Sequence, residues 1–203
     1  MVDANEYWSP KQAIRHITLF EQHYDLFWAE EPARRWDYRG LRKVSQSINA
    51  AVATGENLDH VSEFTPLVAN EAVDVIQIGR GASGITGGLQ VADLAYAFEI
   101  PVSVMNCPGS FMAHFAAALP NRIWMEVFNA GRTVGMKVDT RIEDGWIVLG
   151  DSPGLGITFD EALIQQLAVA DPAAHDTGLP AGRRRGAALY EVGPDEPARL
   201  DEE

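Results

Sequence analysis

Leu26-Phe27-Trp28-Ala29-Glu30-Glu31-Pro32 is a short apolar run that closes on acid and is stopped by proline. A run of this length bounded by breakers reads as a buried strand. Its repetition decides the fold. On the N-terminal side, Val2-Asp3-Ala4-Asn5 reads as the end of a strand closed by Asp3. On the C-terminal side, Ala51 to Thr54 runs into Gly55-Glu56-Asn57 and closes on Glu56. The acids are 27 residues apart from 3 to 30 and 26 apart from 30 to 56. Each interval is one strand, one helix and their connections.

The intervals carry helical periodicity. Ala13, Ile17, Phe20 and Tyr24 form one stripe, Leu41, Val44 and Ile48 a second, Val61, Phe64 and Val68 a third. Ser9 followed by Pro10 marks the N-cap and first position of the first helix. Farther along, Val73 to Ile78, Pro101 to Met105 and Ile123 to Val127 read as strands, with a helix stripe of Val91, Leu94, Ala95 and Phe98. Strand and helix in strict alternation mean an α/β fold with a parallel sheet. Six strands are counted, where a closed TIM (β/α)8-type barrel has eight and about 250 residues. The expectation is an incomplete barrel over 1–139. A hairpin about Glu143-Asp144-Gly145 and a helix from Asp160 to Val169 follow, placing a packed extension at 140–170. Residues 171–203, rich in Pro, Gly and acid, read as a disordered or loosely attached tail.

A net charge of −13 argues against a nucleic-acid partner, which would call for basic patches. The one basic run, Arg183-Arg184-Arg185, reads as part of the solvated tail. No run of eighteen apolar residues suggests a membrane span, and Asp3 and Glu6 stand where a secretory signal carries positive charge. A cytoplasmic location is expected. The single cysteine, Cys107, excludes an intrachain disulfide.

In a parallel barrel the reacting groups sit at the C-terminal ends of strands. Asp3, Glu30 and Glu56 hold three such ends, and like charges that converge raise one another's pKa unless a cation compensates. All-oxygen ligation favours Mg2+, with Mn2+ possible, over zinc.

The ordered set Val2-Asp3-Ala4-Asn5, Trp28-Ala29-Glu30-Glu31-Pro32, Gly55-Glu56-Asn57, Ser83-Gly84-Ile85-Thr86-Gly87 and Ala117-Ala118-Leu119-Pro120 resembles the mandelate racemase and muconate lactonizing family of the enolase superfamily, from about Met1 to Val169. The resemblance implies that the chain starts at the third barrel strand, lacks the N-terminal capping domain, and uses Asp3, Glu30 and Glu56 as metal ligands. It implies a Mg2+-dependent lyase that takes a proton from the carbon beside a carboxylate through a metal-stabilised enediolate, most simply a sugar-acid dehydratase. Glu126 matches a position that contacts the substrate carboxylate.

Two strand ends depart from that pattern. Where the family pairs an Asp with a His as base, this chain has Gln77-Ile78-Gly79-Arg80 and Met105-Asn106-Cys107. Asn106 cannot accept a proton at neutral pH; it can bind a substrate hydroxyl or cap the next helix. The remaining base, commonly a Lys on the second strand, would precede Met1. A racemase or epimerase, which needs a base on each face, is the first alternative. A catalytically incomplete fragment, or one half of a two-chain barrel, is the second. The expected partners are a small carboxylate substrate and either further copies of the chain or a complementing N-terminal half. His114 reads as a structural histidine, His16, His23, His60 and His175 as surface residues. Ser83 to Gly88 could bind an anion through backbone amides or serve close helix packing.

Overall fold

The computed structural model describes residues 1–79, 84–108, 112–128 and 134–170. The expected tail at 171–203 lies outside the described residues, as does Ser83 with the start of its loop. Six parallel strands follow one another in chain order: β1 (Val2–Asp3), β2 (Trp28–Glu30), β3 (Ala51–Thr54), β4 (Val75–Ile78), β5 (Val102–Pro108) and β6 (Arg122–Phe128). The helices between them are α1 (Pro10–Glu21), α2 (Tyr38–Ser45), α3 (Val61–Ala69), α4 (Gly84–Ala97) and α5 (Ala113–Ala118). The order is that of an unbroken barrel segment, in which every strand pairs with the one before it.

Local chemistry sets the helix starts. Ser9 accepts the Gln12 amide and Gln12 returns its side chain to the Ser9 amide, a capping box with proline at the first helical position. Asp37 caps α2 through the Gly40 amide at 2.9 Å. His60 is exposed, as expected of a surface residue, and also caps α3.

The strands alternate faces. Ala29, Val52, Ile76, Ile78, Val102 and Val104 pack against the helices, with Ile17, Leu41, Val44, Phe64, Leu67 and Val91 opposite them. Trp28, Ala53 and Val75 form a second, smaller cluster on the other face of the sheet. That second face is the barrel interior.

Several boundaries differ from expectation. Tyr24 and Phe98 are exposed, because α1 stops at Glu21 and α4 at Ala97 and each stripe outruns its helix, while Phe20 is exposed within the last turn of α1. Val73 lies ahead of β4 and Leu26 ahead of β2, while β5 and β6 run longer than expected. The hairpin forms as β8 (Arg141–Glu143) and β9 (Trp146–Val148), after β7 (Met136–Val138). β7 pairs antiparallel with β10 (Ile157–Phe159), which no turn signal announced. Asp139 closes that connection by accepting the Ser152 amide at 2.8 Å. Helix α6 spans Glu161–Ala170.

Leu41 is fully buried between α2 and the sheet. Leu41→Ala is expected to cost about 3 kcal/mol, read as a lower denaturant midpoint at unchanged slope.

Candidate functional site

The alternation of faces places Glu30, Gln77, Ser103 and Glu126 on the interior side, since their sequence neighbours pack against the helices. Asp3 stands level with Glu30 on the adjacent strand. The Ala4 amide donates to the Glu30 carbonyl at 3.0 Å, so the two strand ends are locked at one height.

Glu30 is the electrostatic centre of this end of the sheet. Its carboxyl is pushed up from an ordinary value near 4.5 to about 7, first by burial and then by the negative charge of Asp3, with Glu126 adding to the rise. Hydrogen bonding opposes the shift only in part: Trp28 Nε1 donates to Glu30 at 3.2 Å. The Gln77 amide lowers the pKa more than Trp28 does, though its atoms stand outside strict hydrogen-bond geometry. Gln77 is fully buried. Asp3 is exposed and held by Asn5, whose backbone and side-chain nitrogens donate to it at 2.8 and 2.6 Å.

Glu56 is half-buried in the loop after β3. Two glycines let the backbone reach it. Gly55 has φ +130, and a Cβ there would stand 2.6 Å from the Gln77 carbonyl. A Cβ at Gly79 would collide with the Glu56 carbonyl oxygen. Glu126 lies on β6, half-buried and close enough to act on Glu30. Asn106 falls within β5, and its side chain lies outside the described residues.

The structure therefore brings Asp3, Glu30 and Glu126 into one electrostatic neighbourhood. Among the described residues, no three His, Cys, Asp or Glu side chains stand close enough together to hold a metal ion. The donor chemistry of the Asp3 and Glu30 pair still suits a hard divalent cation. Oxygen is the only donor type, and Glu30 carries negative charge at a cost that a cation would relieve.

Sequence reasoning missed three participants. Gln77 was passed over as part of a strand end, although its alternation with Ile76 and Ile78 marks an interior polar residue. Glu6 and Glu31 are acids that the structure buries to 2% and 1% exposure. Glu31 was visible as the second acid before Pro32. His114, expected to be buried, is half-buried, with its Nε2 enclosed. Gly88, within α4, fits the close-packing reading: a Cβ there would press on the Phe115 ring at 2.7 Å.

A parallel strand-and-helix sheet with carboxylates gathered at its C-terminal edge is the arrangement of a partial (β/α) barrel. The chain belongs to the enolase C-terminal domain-like family, whose profile matches residues 1–163, and one structural neighbour is a mandelate racemase/muconate lactonizing enzyme from Polaromonas, with a TM-score of 0.73 at 28% identity over 81% of this chain and 45% of that one. It is 30% identical over 172 residues to the L-talarate/galactarate dehydratase of Salmonella typhimurium, covering 79% of this chain and 40% of that protein. A D-galactonate dehydratase family member from Oceanicola granulosus is also 30% identical, over 79% of this chain and 41% of its own length. Among solved structures, L-talarate dehydratase from a Polaromonas species, complexed with Mg and L-glucarate, superposes with a TM-score of 0.73 at 28% identity. That match covers 81% of this chain and 46% of the other. The chain thus spans about two-fifths of the length of the curated relatives it matches. No helix among the described residues is long and apolar enough to cross a membrane.

Because the folded pKa of Glu30 lies above its ordinary value, its contribution to stability is fully present below about 4.5 and is lost as pH rises through about 7. In metal-free buffer, Glu30→Gln is expected to flatten the fall in stability over that window. At pH 8 it should gain about 1 kcal/mol over wild type, a figure already reduced for partial exposure. Denaturant unfolding at several pH values reads both; a wild-type curve that rises across the window would contradict this electrostatic account.

Proposed function

We propose that the chain forms the carboxylate-bearing part of a Mg2+-dependent barrel enzyme that removes a proton from the carbon beside a carboxylate. The simplest form is a dehydratase acting on a hydroxy acid such as a sugar acid. The observation that carries this reading is the half-buried Glu30, raised to about 7 beside Asp3 and Glu126. The dehydratase relatives support it.

Asp3, Glu30 and Glu56 would hold Mg2+, or Mn2+ in its place. Bound there, the cation supplies positive charge against the negative charge that builds on a substrate carboxylate as the neighbouring carbon loses its proton. The chain's own residues orient and discriminate. Glu126, on the far strand of the same interior face, contacts the substrate, and Asn106 offers a hydrogen bond to a hydroxyl. The buried Gln77 amide is free in geometry to accept or donate one more. Neither Gly79 nor Asn106 can take a proton, so a base on each face is lacking among the residues assigned here. That favours dehydration over racemisation, although an L-Ala-D/L-Glu epimerase of Clostridium acetobutylicum is also a relative, at 29% identity. The cytoplasm is the proposed location.

Calorimetric titration with Mg2+ is expected to show binding at millimolar affinity or tighter, weakened about tenfold or more in Glu30→Gln. Heat of binding that is absent for wild type removes this reading. A panel of sugar acids assayed for 2-keto product then tests dehydration, and no turnover on any member with Mg2+ bound counts against it.

A specific feature also favours assembly with a complementing barrel half. The outer edges of β1 and β6 pair with no strand among the described residues. Beside β6 runs an apolar groove of about 780 Å³ lined by Ala116, Trp124, Met125, Val127, Ile142 and Trp146. The sheet is already curled: Phe27, just before β2, meets Trp124 of β6 edge-on at 5.7 Å, and both rings are half exposed. Further parallel strands would cover them and extend the interior. Expressed as these 203 residues, the protein is expected to self-associate through this edge, and Trp124→Glu should shift sedimentation towards monomer. A wild-type monomer at all concentrations would speak against an uncovered edge.

A further inference from the structure

Asp3, Glu30 and Glu56 each stand at the start of a loop, and one guanidinium ties the three loops together. Arg35, in the loop after β2, donates from Nε and Nη2 to the two carboxylate oxygens of Glu6 at 2.6 and 2.8 Å. From Nη1 it donates to the Asn57 carbonyl at 2.8 Å. Asn57 in turn donates from Nδ2 to Glu31 at 2.5 Å, and the Glu6 amide donates to the Glu31 carbonyl at 2.8 Å. Glu6 follows Asp3 by three residues; Glu31 and Asn57 are the immediate neighbours of Glu30 and Glu56.

The clamp is costly enough to need a reason. Glu6 and Glu31 are almost fully buried, which carboxylates tolerate only when paired. Asn5, Glu6 and Glu31 hold φ of +43, +61 and +40, left-handed backbone that non-glycine residues rarely adopt. Such conformations persist where surrounding contacts over-determine them, and they gather at functional sites. All three lie within two loops that touch the clamp.

We propose that Arg35 is a positioning residue of the carboxylate site: its planar fork fixes how Asp3, Glu30 and Glu56 stand relative to one another, and so sets the affinity for a divalent cation. This inference rests on the metal-binding reading above. Arg35 acts through Glu6 and Asn57. The fork geometry is essential to it, because a lysine carries the charge but cannot make the bidentate contact and reach the Asn57 carbonyl together.

Mn2+ binding to the whole chain, followed by electron paramagnetic resonance, tests this in Arg35→Lys and in the paired variant Glu6→Gln with Arg35→Met. The pair removes both members of the Glu6–Arg35 ion pair together, so Glu6 is not left buried and charged without its partner. Glu21→Gln serves as the control. Glu21 accepts the Asn49 and Ala50 amides at 2.8 and 2.7 Å, a loop tie ahead of β3 with no link to the carboxylates. The expected result is that the Arg35 variants keep wild-type circular dichroism yet bind Mn2+ about tenfold or more weakly. Their bound-Mn2+ line shape should also change, while Glu21→Gln loses stability and keeps wild-type affinity and line shape. Wild-type Mn2+ affinity in either folded Arg35 variant overturns the inference alone. Absence of Mn2+ binding in the wild type overturns the metal reading, and this inference with it.

Discussion

Like charges at one end of a sheet are the constraint on which this molecule turns. Asp3 and Glu30 are held at the same height by strand pairing, and Glu126 faces them from β6. Strand pairing is cooperative along the whole sheet, so the carboxylates cannot relax apart without breaking the register that buries Ala29, Val52 and Ile76. The repulsion is borne by Glu30, the member taken farthest from water. Its raised pKa is the local record of a fold that prefers either a proton or a cation at that point.

The scaffold absorbs this with backbone freedom and with pairing. Gly55 and Gly79 let β3 and β4 end in close contact, so that the Glu56 backbone passes where any side chain would obstruct it. Left-handed φ, of order 1–3 kcal/mol each, is held by Asn5, Glu6 and Glu31 in the first two loops, and also by Glu71 and Glu99 after α3 and α4 and by Asp144 in the hairpin turn. The opposite end of the sheet is built differently: there Glu21 accepts backbone amides from Asn49 and Ala50, and Asp74 accepts the Val52 amide at 2.8 Å and the Ser45 hydroxyl. Those contacts close loops and cap strand starts. Stability is gathered at one end of the sheet and chemical tension at the other, as the parallel barrel architecture leads one to expect.

The alternation of apolar runs and helix stripes made the sheet legible before any coordinates, because period 2 and period 3.6 are properties of local sequence. The three acids were legible for a similar reason: a strand end in a parallel sheet has one address per unit, and Asp3, Glu30 and Glu56 repeat it. What could not be read was lateral. Nothing local in Arg35 tells which of two neighbouring loops its fork will enter, and nothing in Gln77 tells that its amide will be sealed beside Glu30. The β7 and β10 pair escaped notice because two three-residue strands, joined through Asp139 and Ser152, carry too short a pattern to register. The helix stripes were overextended at Tyr24 and Phe98, where apolar residues continue past the helix ends.

The departure at the fourth strand end has a physical reading. An acid at position 79 would be the economical way to orient a base, and the chain has glycine there. The structure shows that this is no neutral loss, since any Cβ at 79 would enter the Glu56 carbonyl. An acidic residue could return only if the loop carrying Glu56 moved, and that loop is fastened by Asn57 to Glu31 and Arg35. Position 79 and the clamp are therefore alternatives in one small volume: a chain can hold a side chain at that strand end or press β4 against the Glu56 backbone. Here it does the second. The interior carries Glu30, Gln77, Ser103 and Glu126 among its polar groups.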